Sequence, residues 1–366
     1  MDDTRPTPKP WIDRIHAYVP GASKAADGRE LVKLSANENP LGCSPAALAA
    51  REAARHPALY PDPDSTALRE AIAAVHGLDP ARVVCGTGSG ELLAGAVQGF
   101  CGTGDEVLFS EHAFSLYPLL AAKVGAEAVT APARDYAADV DALLAAVTER
   151  TRVLLLDNPN NPTGTAVPHA EVERLHAGLL ADVLLVIDQA YAEYQPPEEA
   201  NAAFALAGRA ENVLVTRTFS KAYGLAGERV GWATGAPHLI DILNRLRGPF
   251  NVASGAQATA LAALGDQAFV DSSRAHNAGE RDRFEAALAP LGNAGVRVLP
   301  SAANFVLVLF ADDAMAARVQ AALAEGGYAV RHLGGALGNA LRITIGSAQH
   351  MDEVAILVRA AVENTE

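Results

Sequence analysis

Short apolar runs alternate with helix-like stretches through the middle of this chain. The runs recur at intervals of roughly twenty to thirty residues, the spacing of strand–helix units in a largely parallel sheet. Each run is continuously apolar, as burial on both faces of a sheet requires. We therefore predict an α/β fold whose mixed, mostly parallel sheet is flanked by helices. The predicted strands are RVVCG, EVLFS, EAVTA, RVLLLD, VLLVID, NVLVT and VGWAT.

The pattern differs at both ends of the chain. Proline, glycine and charged residues crowd the first thirty residues, which predicts an extended arm. After about residue 255, a long Ala-rich helical region precedes the strand-like segments NFVLVLF and LRITIG, which indicates a smaller α+β domain. The predicted organisation is an N-terminal arm contributing to the small domain over 1–44, a large domain over 45–255 and a small C-terminal domain over 256–366.

Composition narrows the class of protein. The 366 residues are 50% hydrophobic and 20% charged, which is typical of a globular protein. Lys and Arg number 29 against 43 Asp and Glu, and the resulting net charge of −14 argues against nucleic-acid or membrane partners. Cys43, Cys85 and Cys101 have neither disulfide-framework nor zinc spacing, and no ligand cluster predicts a metal. With no signal-peptide pattern or membrane-length apolar run, we expect a soluble, cytoplasmic protein.

Polar segments follow the predicted strands one after another. Because the carboxyl ends of parallel strands meet at one edge of a sheet, these segments should form a common site. The segments are GTGSGE (86–91), EHAFSLY (111–117), NPNNPTG (158–164), 188–191 and 217–221.

Four features of these segments describe one cofactor. The glycines of GTGSGE can expose backbone N–H groups to a phosphate at a helix start. Lys221 can be desolvated into a nucleophilic amine, and Asp188 at a strand end needs a cationic partner such as a protonated pyridine. Asn160 and Asn161 lie between two prolines that fix the backbone, so an amide side chain can be held in one pose. Taken singly, they could be a plain turn, a surface lysine, a helix cap and a loop residue. Together they predict a pyridoxal phosphate site and a small-molecule enzyme.

With these residues in place, the sequence resembles the fold-type I pyridoxal phosphate aminotransferases over nearly its whole length. NPNNPTG with a downstream Ser–Lys is highly specific for the superfamily, while YVPG and ANENP point to the subfamily that uses histidinol phosphate. The matching segments are AYVPG, KLSANENPLG, YPDPDSTALREAIA, GTGSGELL, NPNNPTG, DQAYAEY, TRTFSKAYGLAGERVGW, NFVLV and LRITIG.

The resemblance implies roles around the cofactor ring. Lys221 would form the Schiff base with the cofactor and later carry the Cα proton. Asp188 would pair with the pyridine nitrogen, Asn161 and Tyr191 would bind the ring's phenolic oxygen, and Phe114 would stack on the ring.

The resemblance also assigns the cofactor phosphate. The backbone amides of Ser89 and Gly90, together with Ser220 and Arg229, would bind it. Tyr60 would reach the phosphate bound by a partner subunit, which implies a homodimer.

The implied reaction is reversible amino transfer between L-histidinol phosphate and 2-oxoglutarate. Arg342 would bind the glutamate carboxylate, Arg331 and Tyr18 the substrate phosphate, and Asn37 would line the pocket. Separate arginines suit a site that accepts both a dicarboxylate and a phosphorylated amino alcohol.

The chain departs from the family pattern at a few positions. Gly90 stands where many relatives carry an acid, Gln189 replaces the usual glutamate, and Phe114 is often tyrosine. Glu228 precedes Arg229 where an aliphatic residue is common, and it could weaken or reorient that arginine. None of these changes removes a catalytic group.

Other functions remain open at this stage. An aromatic amino-acid aminotransferase or a decarboxylase of phosphorylated threonine could use the same scaffold. A transcription regulator would need an appended basic DNA-binding segment, which the charge disfavours. A Rossmann dehydrogenase would need a third glycine at position 91, where Glu91 stands.

Overall fold

The computed structural model describes residues 6–15, 24, 28–54 and 58–363. Within these residues the strands are β1 (Val32–Lys33), β2 (Val83–Gly86), β3 (Glu106–Ser110), β4 (Glu127–Ala131), β5 (Ala133–Arg134), β6 (Ala137–Ala138), β7 (Thr151–Asp157), β8 (Leu184–Asp188), β9 (Val213–Thr218), β10 (Gly231–Gly235), β11 (Arg297–Val298), β12 (Phe305–Leu309), β13 (Tyr328–Ala329), β14 (Arg331–Gly334) and β15 (Leu337–Thr344).

Helices occupy most of the chain between the strands. In the same described residues they are α1 (Pro45–Ala53), α2 (Thr66–His76), α3 (Ser89–Phe100), α4 (Tyr117–Val124), α5 (Val140–Ala145), α6 (His169–Gly178), α7 (Pro197–Arg209), α8 (Pro237–Leu246), α9 (Ser254–Gly265), α10 (Gln267–Leu288), α11 (Asp313–Glu325) and α12 (Ala348–Glu363).

The largest sheet has the strand order β2-β10-β9-β8-β7-β3-β4 in the part of the chain that the structure describes. Its strands run parallel except β10, which pairs antiparallel with both β2 and β9. These are the seven strands that the apolar runs predict, so the predicted mixed, mostly parallel sheet is confirmed.

Both faces of this sheet are covered by helices. Leu154 and Leu156 point to the cluster formed with α2, α5, α6, α7 and α9. Val153 and Leu155 point to the cluster formed with α3, α4 and α8. Because neighbouring residues of β7 face opposite layers, the strand is apolar throughout 153–156. It ends at Asp157, at the edge where the parallel strands end.

A second sheet follows in the C-terminal part of the described chain, with the antiparallel order β11-β12-β15-β14. The strand β1 from the N-terminal part pairs parallel with β13, near this sheet. The apolar runs predict β12 and the end of β15 but miss β14, whose sequence RHLG is only partly buried. The boundaries 1–44, 45–255 and 256–366 stay a prediction.

The N-terminal segment crosses the loop that carries Lys221 at very short range. Gly224 has φ +70°, and a Cβ added to it would lie 1.7 Å from the carbonyl oxygen of Gly42. Asn39 donates from Nδ2 to the oxygen of Ala222 at 2.9 Å. The absence of a side chain at Gly224 therefore brings the N-terminal segment against the lysine loop.

We predict that Gly224→Ala destabilises the protein by about 2–4 kcal/mol, because the methyl group meets backbone and alanine disfavours this φ. Urea unfolding measures the change. Gly227→Ala is the matched control, since a Cβ there would meet nothing within 4 Å. Equal stability of the two variants would contradict the prediction.

Candidate active site

The chemically active groups lie where the parallel strands end. β7 ends at Asp157 and β8 at Asp188, which are register partners on adjacent strands. β9 ends at Thr218, and Lys221 follows in the next loop. Sheet topology thus brings together groups that are far apart in the chain, at the edge where open α/β sheets bind ligands.

Lys221 reaches into a region that is rich in positive charge. Its Nζ donates to the carbonyl oxygen of Ala36 at 3.1 Å and lies 5.7 Å from the centre of the Tyr191 ring. Burial, with a smaller contribution from Arg342, lowers the pKa of Lys221 to about 7. A substantial fraction of the amine is therefore neutral near neutral pH, the form that attacks carbonyls.

Asp188 is a buried acid, so burial shifts its pKa in the opposite direction to that of Lys221. Its side chain accepts from Thr216 Oγ1 at 3.0 Å and from Tyr117 Oη at 3.4 Å, and the residue is 4% exposed. Burial raises the pKa of Asp188 to about 6. Among the residues that the structure describes, no Lys, Arg or His pairs with it. A buried carboxylate without a cation is a site that a protonated ring nitrogen would complete.

Tyr191 anchors a cluster of amides beside these two groups. Its hydroxyl accepts from Asn37 Nδ2 at 2.9 Å and from Asn161 Nδ2 at 3.4 Å. Burial raises the pKa of Tyr191 to about 12, so the phenol stays protonated at neutral pH and can donate. Arg342 joins the cluster by donating from Nη1 to Asn161 Oδ1 at 2.6 Å and from Nη2 to the oxygen of Ser35 at 2.6 Å.

A phosphate cradle lies at the start of α3. Gly88 precedes the helix with φ +87°, and Ser89 and Gly90 are its first residues. A Cβ on Gly88 would stand 2.4 Å from Arg229 Nη2, so only glycine admits the guanidinium here. Arg229 also donates from Nη1 to Ser220 Oγ at 3.1 Å. Helix N–H groups, a hydroxyl and an arginine fork fit a phosphate monoester.

The predicted ring-contact residue Phe114 lies in the loop after β3. Its backbone N donates to Asp157 Oδ2 at 3.2 Å, and its ring packs edge-on against Tyr117 with centroids 5.9 Å apart. The loop thus places a half-buried aromatic ring against Tyr117, whose hydroxyl donates to Asp188. Together with Lys221, Asp188 and the phosphate cradle, this set fits the pyridoxal phosphate that the sequence predicts.

Two further predicted residues, Tyr60 and Arg331, make none of the contacts described above. Tyr60 is 82% exposed and stacks on Phe250 with ring centroids 4.5 Å apart. Arg331 on β14 is the register partner of Arg342 on β15, and among the described residues its guanidinium has no hydrogen-bond or ion-pair partner. Tyr18 lies outside the residues that the structure describes.

The sequence analysis missed two buried groups at the site. Tyr117 binds Asp188 directly. Asp157 accepts hydrogen bonds from the loops that carry Phe114 and Asn161. Like Asp188, Asp157 is an acid at the end of a continuous apolar run, so the same sequence pattern could have identified it.

The departures from the family pattern have structural explanations. Gln189 is buried, and its Oε1 accepts from Arg217 at 3.1 and 3.2 Å. Glu228 pairs with Arg51, while Arg229 keeps its bond to Ser220. The expected weakening of Arg229 by Glu228 therefore has no counterpart in these contacts. A Cβ on Gly90 would meet only a leucine side chain at 3.8 Å.

The fold and this site define an aminotransferase. The family model for aminotransferases of class I and II matches residues 29–359, and the chain belongs to this family. The histidinol-phosphate aminotransferase of Erythrobacter litoralis is 62% identical to this chain over 364 residues, 99% of each protein. That of Zymomonas mobilis is 56% identical over 357 residues, 97% of each.

Solved structures agree in fold. The histidinol-phosphate aminotransferase of Sinorhizobium meliloti, crystallised in complex with pyridoxal-5'-phosphate, superposes with a TM-score of 0.91 at 31% identity. The comparison covers 100% of this chain and 99% of that one. In the described part of the chain, no helix is long and apolar enough to cross a membrane, and no cluster of His, Cys, Asp or Glu could hold a metal ion.

We predict that Lys221 in the cofactor-free protein has an unusual pH response toward a small acylating reagent. Because its pKa lies at about 7, its labelling rate should rise about tenfold between pH 6 and pH 8 and then level off. Peptide mass spectrometry reads the labelling, and Lys123, an exposed lysine on α4, gives the reference rate at each pH. A Lys221 rate that keeps rising beyond pH 10 would contradict the lowered pKa.

Proposed function

We propose that this protein catalyses reversible amino transfer between L-histidinol phosphate and 2-oxoglutarate, a step of L-histidine biosynthesis, with pyridoxal phosphate as cofactor. The observation that carries the substrate assignment is the pairing of Arg331 with Arg342 on adjacent strands beside the Lys221 site. Full-length identity to relatives named for this reaction supports it. The proposed partners are small-molecule substrates, and we place the reaction in the cytoplasm.

The cofactor supplies an electron sink that lets an amino group leave one substrate and join another. Lys221 would hold the cofactor through its neutral amine and would move the proton at the substrate Cα. Asp188, buried without another cation among the described residues, keeps a proton on the pyridine nitrogen. Tyr191 and Asn161 bind the ring oxygen, with Asn37 holding the Tyr191 hydroxyl.

Binding of the cofactor phosphate is assigned to the cradle at the start of α3. The backbone N–H groups of Ser89 and Gly90 point from the helix end, where the helix dipole favours an anion. Ser220 and Arg229 complete the cradle from the opposite loop. Phe114 covers a face of the ring and limits its movement.

The two arginines divide the substrate contacts. Arg342 is already oriented by Asn161 and the oxygen of Ser35, which suits a fixed fork for the carboxylate of glutamate. Arg331 is directly opposite it on the antiparallel pair β14–β15, and opposite residues share a face of a sheet. We assign Arg331, with Tyr18, to the phosphate of histidinol phosphate.

A half-reaction tests this function. Cofactor-loaded protein, mixed with L-histidinol phosphate and no keto acid, should lose the visible absorbance of the lysine-bound cofactor at low substrate concentration. A response to L-phenylalanine alone would indicate an aromatic aminotransferase. Release of carbon dioxide from phosphorylated threonine, tested separately because histidinol phosphate has no carboxyl group, would indicate a decarboxylase. Lys221→Ala should abolish the response while leaving a folded protein.

In this assay we expect Arg331→Ala to raise the KM for histidinol phosphate by about 10- to 100-fold, because a charge-assisted contact to phosphate is lost. The rate with phenylalanine, which has no phosphate, should stay within threefold of the wild-type rate. A threefold change corresponds to under about 1 kcal/mol. Arg297→Ala, an exposed arginine on β11 paired with Asp135, is the matched control. Equal losses for both substrates would remove Arg331 from phosphate recognition.

We further propose that the protein acts as a homodimer in which Tyr60 reaches the partner's cofactor phosphate. Leu59 is 70% exposed, Tyr60 82% and Phe250 38%, which is a large apolar surface for a single chain. The Tyr60 ring is stacked but its exposure leaves the hydroxyl free to meet a second copy.

Sedimentation of the cofactor-loaded protein should give twice the mass of one chain at micromolar concentration. Tyr60→Phe should remain dimeric yet lose cofactor faster on dilution, since one charge-assisted phosphate contact is gone. Ile356→Ala, at an exposed apolar position on α12, serves as the matched surface control. A monomeric, fully active wild type would contradict the dimer.

A further inference from the structure

Asp157 is an acid at the active site with no role in the reaction described above. It ends β7, is 6% exposed and is the register partner of Asp188. Nearly all of its hydrogen bonding passes through one atom. Its Oδ2 accepts from the backbone N of Asn161 at 2.9 Å, from Asn160 Nδ2 at 3.1 Å and from the backbone N of Phe114 at 3.2 Å.

These donors come from two loops that meet at Asp157. Phe114 belongs to the loop after β3, and Asn161 to the turn after β7. Asn160 links the same loops again, because its Nδ2 also donates to the oxygen of His112 at 3.3 Å. One carboxylate oxygen therefore sets the separation between the aromatic ring and the amide assigned to the cofactor ring.

A carboxylate suits three donors on a single oxygen better than a neutral amide oxygen does, because its negative charge attracts N–H donors more strongly. The arrangement has an energetic cost in the cofactor-free protein, since Asp157 and Asp188 are adjacent buried acids. Burial, opposed by the bond from Asn161 and reinforced by Asp188, raises the pKa of Asp157 to about 7.

We propose that Asp157 is a positioning residue whose carboxylate fixes Phe114 relative to Asn161 and so sets the orientation in which the cofactor ring is bound. The inference rests on the proposed use of pyridoxal phosphate but not on the identity of the amino donor. A residue with this role differs from an ordinary core residue in one measurable way. It improves cofactor binding while it lowers, or leaves unchanged, the stability of the cofactor-free protein.

The test is the isosteric variant Asp157→Asn at pH 8, where the wild-type carboxylate is mostly ionised. We expect the unfolding temperature of the cofactor-free variant to equal or exceed that of wild type, because a buried like-charge pair is relieved. The dissociation constant for pyridoxal phosphate should rise at least about fivefold, the effect of a weakened charged hydrogen bond. The visible circular dichroism of the bound cofactor should change in amplitude, because the ring is less firmly oriented.

Glu106→Gln is the matched control. Glu106 is also a buried acid of the same sheet, 2% exposed, but it is the first residue of β3 and so lies at the end of the strand away from the site. Its carboxylate is bound by Thr148, Thr151 and Arg150. Its replacement should lower the unfolding temperature and leave cofactor affinity and circular dichroism unchanged.

Several results would overturn the proposal. Asp157→Asn with wild-type affinity and circular dichroism would show that the carboxylate does not orient the ring. A variant that fails to fold, or whose unfolding temperature falls together with its affinity, would make Asp157 a structural residue. All readouts are taken without amino donor, so failure of the histidinol phosphate assignment would leave them unaffected and would appear only in the half-reaction.

Discussion

The constraint on which this site depends is a buried carboxylate, Asp188, that has no cationic partner among the described residues. Asp188 ends a central strand of a sheet whose two faces are covered by apolar helices, and water cannot reach it to any useful extent. Ionising such a group is costly unless a positive charge is brought to it. Asp188 in turn raises the pKa of Asp157 beside it. The site therefore favours a ligand that brings a protonated nitrogen to Asp188.

The other side of the site has the complementary charge. Lys221 is surrounded by positive groups, of which Arg342 contributes most to its lowered pKa after burial itself. Arg229 faces the helix start at Gly88. The site thus has a negatively charged side, formed by the acids at the strand ends, and a positively charged side. A molecule with a cationic ring nitrogen and an anionic phosphate would match these two sides, and its aldehyde would match the amine between them.

A short N-terminal segment ties these parts together. The oxygen of Ser35 accepts from Arg342, the oxygen of Ala36 accepts from Lys221, and Asn37 donates to Tyr191. The adjoining strand β1 pairs with β13, so the same segment is also attached to the C-terminal region. A shift of β13 relative to the large sheet would therefore also move the segment that contacts Lys221, Arg342 and Tyr191.

The large sheet could be predicted from the sequence, and so could the position of most residues proposed to hold the cofactor. The strands are continuous apolar runs with polar segments directly at their ends, so the local pattern was enough to bring Asp188, Asn161 and Lys221 to one edge. Which groups share an atom or lie opposite each other could be seen only in the folded chain. The role proposed for Asp157 depends on two loops, distant in sequence, that converge on one oxygen. The role proposed for Arg331 depends on the pairing of β14 with the strand that carries Arg342. Such contacts depend on strand order and register, which leave no local periodicity in the chain.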